Sequence, residues 1–181
     1  DGQIIPSEKW GVKVVSMAFF QENPDEAIIW RGPMIHNAIS QFLQQTEWDE
    51  LDYLVVDLPP GTSDSPLTIM QNLPMDGFVV VSTPQDLANL DAKRCINMIR
   101  KLNLNVLGVV ENYTGEIFGE GGGKNLAKEV DAPFLGDIAL RSIYRDASKP
   151  TALLDKSVGK EFKSVADAMK KSLKEFGSEA V

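Results

Sequence analysis

The sequence predicts an α/β fold, a mostly parallel sheet with helices on both faces. Apolar runs of strand length, rich in Val and Leu, alternate with stretches of helical periodicity at the spacing of strand–helix–strand units. A chain of 181 residues with 43% hydrophobic and 24% charged residues has an ordinary globular composition and enough length for one core. We therefore expect a single domain over residues 1–181.

The elements are predicted from periodicity and from the residues that close each run. In chain order they are a strand over 12–18, a helix from Gly32-Pro33, a buried strand over 51–58, a helix over 65–73, a strand over 77–82, a helix over 87–102, a strand over 106–110, a short strand over 133–136, a short helix over 142–147 and a long amphipathic helix over 158–176. In the helix over 87–102, we expect Leu90, Ile96, Ile99 and Leu102 to face the core.

The apolar run Leu54-Val55-Val56, within the strand predicted over 51–58, ends in a carboxylate, Asp57, and Pro59-Pro60-Gly61-Thr62 follows shortly after it. Two prolines and a glycine prevent a strand from continuing, so Asp57 is expected at the carboxyl end of a buried strand. Open α/β sheets bind ligands at that edge. A carboxylate beside the free N–H groups of such a turn suits hydrated Mg²⁺ and a terminal phosphate. The alternative is an acid that merely precedes an ordinary turn.

Asn112 follows the strand over 106–110 and is expected at the same edge of the sheet. Its carboxamide offers the donor and the acceptor needed to read adenine, although a strand-end Asn is more often a turn residue. The glycine-rich residues 119–125 look like a phosphate loop, but Phe118 stands where the first glycine belongs and Asn125 replaces the Ser or Thr. We interpret this stretch as the glycine-rich start of a helix.

Composition excludes several classes of function. A net charge of −8 without a basic cluster argues against nucleic-acid binding. With no apolar stretch of the roughly 20 residues that span a bilayer and no signal-peptide pattern, we expect no membrane association and a cytoplasmic location. The single Cys95 excludes an internal disulfide and a metal site built from this chain's thiolates alone, and the lone His36 is interpreted as a surface or packing residue.

Several motifs occur in one characteristic order, over residues 30–34, 51–64, 81–86, 107–112, 117–122 and 134–138. They include Trp30-Arg31-Gly32-Pro33, Asp57-Leu58-Pro59-Pro60-Gly61-Thr62 and Glu111-Asn112. In order and spacing they resemble the Mrp (ApbC-like) iron–sulfur cluster carrier ATPases of the MinD/ParA superfamily of P-loop proteins.

The resemblance implies a switch ATPase in which Mg²⁺·ATP closes a homodimer and hydrolysis resets it, coupled to iron–sulfur cluster assembly or to delivery to apo iron–sulfur proteins. It implies that Asp57 is catalytic and holds a water of the Mg²⁺ shell, that Pro59, Pro60, Gly61 and Thr62 sense the γ-phosphate, and that Asn112 holds adenine. Arg31 is expected either to contact phosphate or partner carboxylates or to be a solvated residue before a helix.

Two departures from the family pattern limit the functions that the resemblance implies for this chain. Family members begin with a strand, a glycine-rich loop bearing two lysines and its helix, so we expect this chain to lack the P-loop and the N-terminal third of that domain. The family's C-x-x-C is absent from residues 112–117, which disfavours direct binding of an iron–sulfur cluster. The alternatives are a MinD/ParA-like regulatory or positioning ATPase that binds no cluster, and a non-enzymatic binding module.

Overall fold

The computed structural model of the chain describes residues 2–20, 32–58 and 64–178. The chain divides into two compact units, Asp1–Leu73 and Pro74–Val181, and each unit is described by itself below. The expectation of a single domain stays a prediction. Within the described residues, no helix combines the length and the apolar character needed to cross a bilayer.

The first unit contains short elements. Strands β1 (Ser7–Lys9) and β2 (Val12–Val14) form an antiparallel hairpin, and a 3-10 helix, Met17–Phe20, follows. The strand predicted over 12–18 is therefore shorter than expected, because the hydroxyl of Ser16 accepts a hydrogen bond from the N–H of Ala18 and favours a local turn. Helices α1 (Gly32–Gln44) and α2 (Asp64–Asn72) form where the sequence predicts them.

The segment over 51–58 differs most from what its sequence predicts. It forms no strand, and most of its side chains are exposed, with Val55 82% exposed. A strand exists only if a neighbour pairs its N–H and C=O groups, and this segment has no ladder partner within the described residues. The prediction of a buried strand with Asp57 at its carboxyl end is therefore wrong for this structure, and Asp57 lies in an exposed, irregular segment.

The second unit confirms the predicted parallel α/β architecture. Its described sheet has the order β3-β4-β5 with all three strands parallel. The elements are β3 (Phe78–Ser82), α3 (Asp86–Lys101), β4 (Val106–Thr114), α4 (Gly122–Glu129), β5 (Phe134–Ala139), a 3-10 helix Ser142–Arg145, α5 (Thr151–Leu154) and α6 (Lys156–Ser178). Strands β4 and β5 extend further than predicted, through Thr114 and Ala139.

Helices cover both faces of this sheet. On one face, Val110, Leu135 and Ile138 form a cluster packed against Val165 and Met169 of α6. Because side chains alternate along a strand, Val109 and Glu111 of β4 face the other way, where Glu111 meets Gly123 of α4. The amphipathic helix predicted near the C-terminus therefore packs on the sheet.

The helical stripe predicted for α3 is correct in part. Ile96 and Ile99 are buried, but Leu90 is 45% exposed. The buried stripe also includes Ala92. At about 100° per residue, Leu90 lies about 200° around the helix from Ala92, so it faces away from the sheet.

Candidate functional site at the carboxyl edge of the sheet

The carboxyl ends of β3, β4 and β5 meet at one edge of the second unit. The register pairs Glu111 with Ser82 on one side and with Asp137 on the other, and it pairs Asn112 with Ile138. Ligands of open parallel sheets bind outside this edge. It is therefore the candidate site among the described residues.

Asn112 lies at this edge, as predicted. It is half-buried, and its Oδ1 accepts a hydrogen bond from the N–H of Tyr113 at 2.9 Å. Tyr113 has φ +64° and is the extra residue of an irregularity in the β4–β5 register, between Asn112 and Thr114. Such bulges redirect side chains at functional edges. No hydrogen-bond partner of Asn112 Nδ2 is found within the described residues, so this donor is available to a ligand.

The other predicted site residues belong to the first unit. Asp57 is described and its side chain is exposed. Pro59, Pro60, Gly61 and Thr62 lie outside the described residues, and so do Trp30 and Arg31. The roles of Asp57 and of this turn stay predictions.

The central residue of the edge is one that sequence reasoning missed, Glu111. Its side chain is only 1% exposed. Its carboxylate accepts hydrogen bonds from the backbone N–H groups of Gly121 at 2.6 Å, of Gly123, and of Lys124 at 3.4 Å. The first N–H groups of a helix lack partners within the helix and form the positive end of its dipole. Glu111 therefore caps α4 from the neighbouring strand.

Steric contacts and backbone conformation explain why glycine occupies the positions at the start of α4. A Cβ on Gly123 would lie 2.9 Å from the Cβ of Glu111, and one on Gly122 would lie 2.3 Å from the carbonyl oxygen of Pro84. Gly121 has φ +93°, a left-handed conformation that glycine adopts readily. The interpretation of residues 119–125 as a helix start is confirmed, because their N–H groups bind a carboxylate of the same chain.

The loop between β3 and α3 joins this arrangement. The hydroxyl of Ser82 donates to Asn89 Oδ1 at 2.7 Å, and Asn89 Nδ2 makes a long contact of 3.5 Å to the carbonyl of Pro84. Gly122 packs against that same carbonyl. The connected residues, which we call the edge network, are Ser82, Pro84, Asn89, Glu111 and the start of α4 over 121–124.

The segment after β5 is tied to α6 by a bidentate ion pair. Arg141 Nη1 donates to Glu161 Oε2 at 2.7 Å, and Nη2 contacts Oε1. Both side chains are partly buried. The hydrogen bonds from Arg141 lower the pKa of Glu161, and the same pairing raises the pKa of Arg141. The pair fixes the chain directly after the carboxyl end of β5.

The loop at the end of β4 has no thiolate. Gly115 and Gly119 exchange two backbone hydrogen bonds, of 3.0 and 2.8 Å, and the tip between them exposes Ile117. Cys95 lies in α3, and burial raises the pKa of its thiol. Within the described residues, no group of three or more His, Cys, Asp or Glu side chains is arranged to hold a metal ion.

The fold defines the class as an α/β protein with a parallel sheet, and comparison with known proteins gives the family. Residues 1–173 match the model of the NUBPL iron-transfer P-loop NTPase family, in the ParA group. The chain belongs to this family, which confirms the resemblance to iron–sulfur cluster carrier ATPases.

The relatives carry related names. An iron–sulfur cluster carrier protein of Pseudomonas fragi is 45% identical over 83% of this chain and 57% of its own length. The iron–sulfur cluster transfer protein NUBPL of Dictyostelium discoideum is 41% identical over 94% of this chain and 57% of its own. The chain thus spans little more than half the length of these curated relatives.

A solved structure supports the same fold. The nucleotide-binding protein of Archaeoglobus fulgidus, in complex with ADP, has a TM-score of 0.62 and 36% identity over 77% of this chain and 58% of that one. The cell division protein MinD of Aquifex aeolicus has a TM-score of 0.55 over 78% of this chain and 60% of that one; its 17% identity indicates the fold alone.

Proposed function

We propose that the protein containing this chain is a nucleotide-dependent switch that binds and hydrolyses ATP and carries iron–sulfur clusters as its substrate. The observation that carries the proposal is the position of Asn112 at the carboxyl edge of a parallel sheet, with no hydrogen-bond partner for its Nδ2 among the described residues. Family membership and the ADP complex of the Archaeoglobus fulgidus protein support a nucleotide as the ligand at this edge.

The chemistry of the predicted residues suits such a ligand. Asn112 would bind the base, because Nδ2 donates and Oδ1 retains a second lone pair after accepting the Tyr113 N–H. The exposed carboxylate of Asp57 would hold a water of a hydrated Mg²⁺, and Gly61 and Thr62 would sense the terminal phosphate. Mg²⁺ in protein sites keeps several waters and is held largely by phosphates, so one carboxylate is sufficient. When bound, Mg²⁺ neutralises charge on the phosphates.

The names of the relatives support the cargo and the partners. Proteins named iron–sulfur cluster carrier or transfer proteins cover most of this chain. We therefore propose apo iron–sulfur proteins or assembly factors as partners. The homodimer and the cytoplasmic location stay predictions.

A second function, a regulatory or positioning ATPase without a cluster, is favoured by one observation. The loop over 115–119 is closed by its own backbone hydrogen bonds and holds no cysteine. Iron–sulfur clusters require thiolate ligands, and the only cysteine in the sequence, Cys95, is a half-buried residue of α3. In this case the nucleotide chemistry is unchanged and no iron is bound.

The test is Mg²⁺·ATP binding and hydrolysis by the protein expressed from its full reading frame. We expect Asp57→Ala to abolish turnover, whereas Asp52→Ala, which removes another exposed carboxylate of the same segment, leaves it intact. Asn112→Ala should weaken ATP binding. Iron and sulfide reconstitution then separates the two functions. A folded wild-type protein that binds no nucleotide would overturn both.

A further inference from the structure

We propose that Glu111 is a positioning residue for the nucleotide base. Its carboxylate holds the start of α4 against the end of β4 and thereby sets the position of the Asn112 amide, the next residue in the chain. This inference rests on the proposed function, since its consequence is measured as base recognition.

The cap that Glu111 provides is unusual in its origin. Helix N-caps are normally provided by a Ser, Thr, Asp or Asn at the helix start. Gly121, the N-cap of α4, provides no side-chain cap, and the acceptor comes from a residue ten positions earlier on a strand. The interaction therefore joins two elements, so its loss should change their relative position as well as the helix end.

The contacts of the edge network form a closed ring that includes Glu111. The carboxylate accepts a hydrogen bond from the N–H of Gly123, and the adjacent Gly122 packs against the carbonyl of Pro84. From there Asn89 connects it to Ser82, whose backbone pairs with Glu111 in the sheet. Close packing at the two glycines leaves no room for one part to shift alone.

Asn112 is held between this network and a strained residue. On its amino side is the buried Glu111, and on its carboxyl side Tyr113 adopts φ +64°, a conformation that costs a non-glycine residue energy. The N–H of Tyr113 also binds Asn112 Oδ1 and so determines which end of the amide stays available. If Glu111 releases α4, Tyr113 can relax, and the amide then loses its fixed orientation.

The experiment compares ATP and GTP affinities of the whole protein by titration calorimetry. Glu111→Gln keeps the side-chain size but places an NH₂ group against a backbone N–H. We expect the Kd for ATP to rise about tenfold, the equivalent of one lost hydrogen bond. The Kd for GTP should change less than about threefold, because the phosphates supply the shared part of the affinity. The preference for adenine therefore falls.

Two further variants separate positioning from general destabilisation. Ile99→Ala removes a fully buried side chain from the last turns of α3, outside the edge network, and should leave the ATP-to-GTP ratio of Kd values unchanged. Asn89→Ala opens the edge network at a half-buried position without touching Glu111. We expect it to lower the adenine preference in the same direction, by about threefold.

The outcomes distinguish a positioning role of Glu111 from a general effect on stability and from failure of the proposed function. A wild-type ratio in both Glu111→Gln and Asn89→Ala would overturn the positioning role and leave ATP binding standing. If Glu111→Gln does not fold, the ATP-to-GTP ratio of Kd values in Asn89→Ala alone tests the positioning role. An equal change of the ratio in Ile99→Ala would show that Glu111 acts only through stability. If the wild-type protein binds neither nucleotide, the proposed function itself fails.

Discussion

Replacing Glu111 by alanine should cost the second unit a large share of its stability. The substitution leaves the partly buried N–H of Gly121 and the buried N–H of Gly123 without their acceptor, and it removes a third, longer contact of 3.4 Å to the N–H of Lys124. Hydrogen bonds to charged groups contribute about 1.5–3 kcal/mol each. Two of them give a loss of about 3–6 kcal/mol in the free energy of unfolding, against the roughly 5–15 kcal/mol of a typical domain.

Urea unfolding followed by far-ultraviolet circular dichroism measures this loss, because the long helices α3 and α6 belong to the second unit. Tryptophan fluorescence is unsuitable, since Trp10, Trp30 and Trp48 all precede Pro74. The matched control is Glu120→Ala, which removes an exposed carboxylate next to Gly121 and should change stability by less than about 0.5 kcal/mol. A loss below about 1 kcal/mol for Glu111→Ala, or rapid amide exchange of Gly123 in the wild type, would refute the cap.

Three further predictions concern packing and charge. Gly122→Ala places a Cβ 2.3 Å from a backbone carbonyl oxygen and should cost about 1–3 kcal/mol in urea unfolding. Gly2→Ala should be neutral, because a Cβ there would meet no non-neighbouring atom of the described residues within 4 Å. Ser172→Ala removes a buried 2.7 Å hydrogen bond to the Leu107 carbonyl and should cost about 1 kcal/mol by the same assay, more than the exposed Ser164→Ala. Arg141 lowers the pKa of Glu161, so their pairing stabilises the fold above the unfolded pKa of about 4.3, and this stabilisation is lost as pH falls through the lower folded pKa. Glu161→Gln should therefore reduce the loss of stability at acid pH in a stability–pH profile. An unchanged profile at acid pH would contradict this.

The sequence predicts the second unit well because its signals are local. Helical periodicity and turn residues identify α3, β4 and α6 within a few positions of their ends. The segment over 51–58 has equally clear local signals and forms no strand, because a strand depends on a partner that the segment itself does not specify. The position of Asn112 at the edge is predicted on the same local grounds, and its place at the end of β4 is confirmed.

Glu111 escapes sequence reasoning for the opposite reason. Its importance comes from contacts with residues ten to thirteen positions later, which no periodicity reports. One signal is present in the sequence: an acid at the end of an otherwise apolar strand, followed by consecutive glycines before a helix. A carboxylate buried in that position requires donors, and a glycine-rich helix start provides them with room for close approach.

The same contact restricts where phosphates of a bound nucleotide can lie. Helix N-termini bind phosphate because their N–H groups lack partners, but those at the start of α4 already bind Glu111. A phosphate there would leave a buried carboxylate without donors, next to a second negative charge, at a cost of several kcal/mol. If the carboxyl edge of this sheet binds a nucleotide, α4 therefore cannot hold its phosphates. The phosphates then require N–H groups other than those at the start of α4.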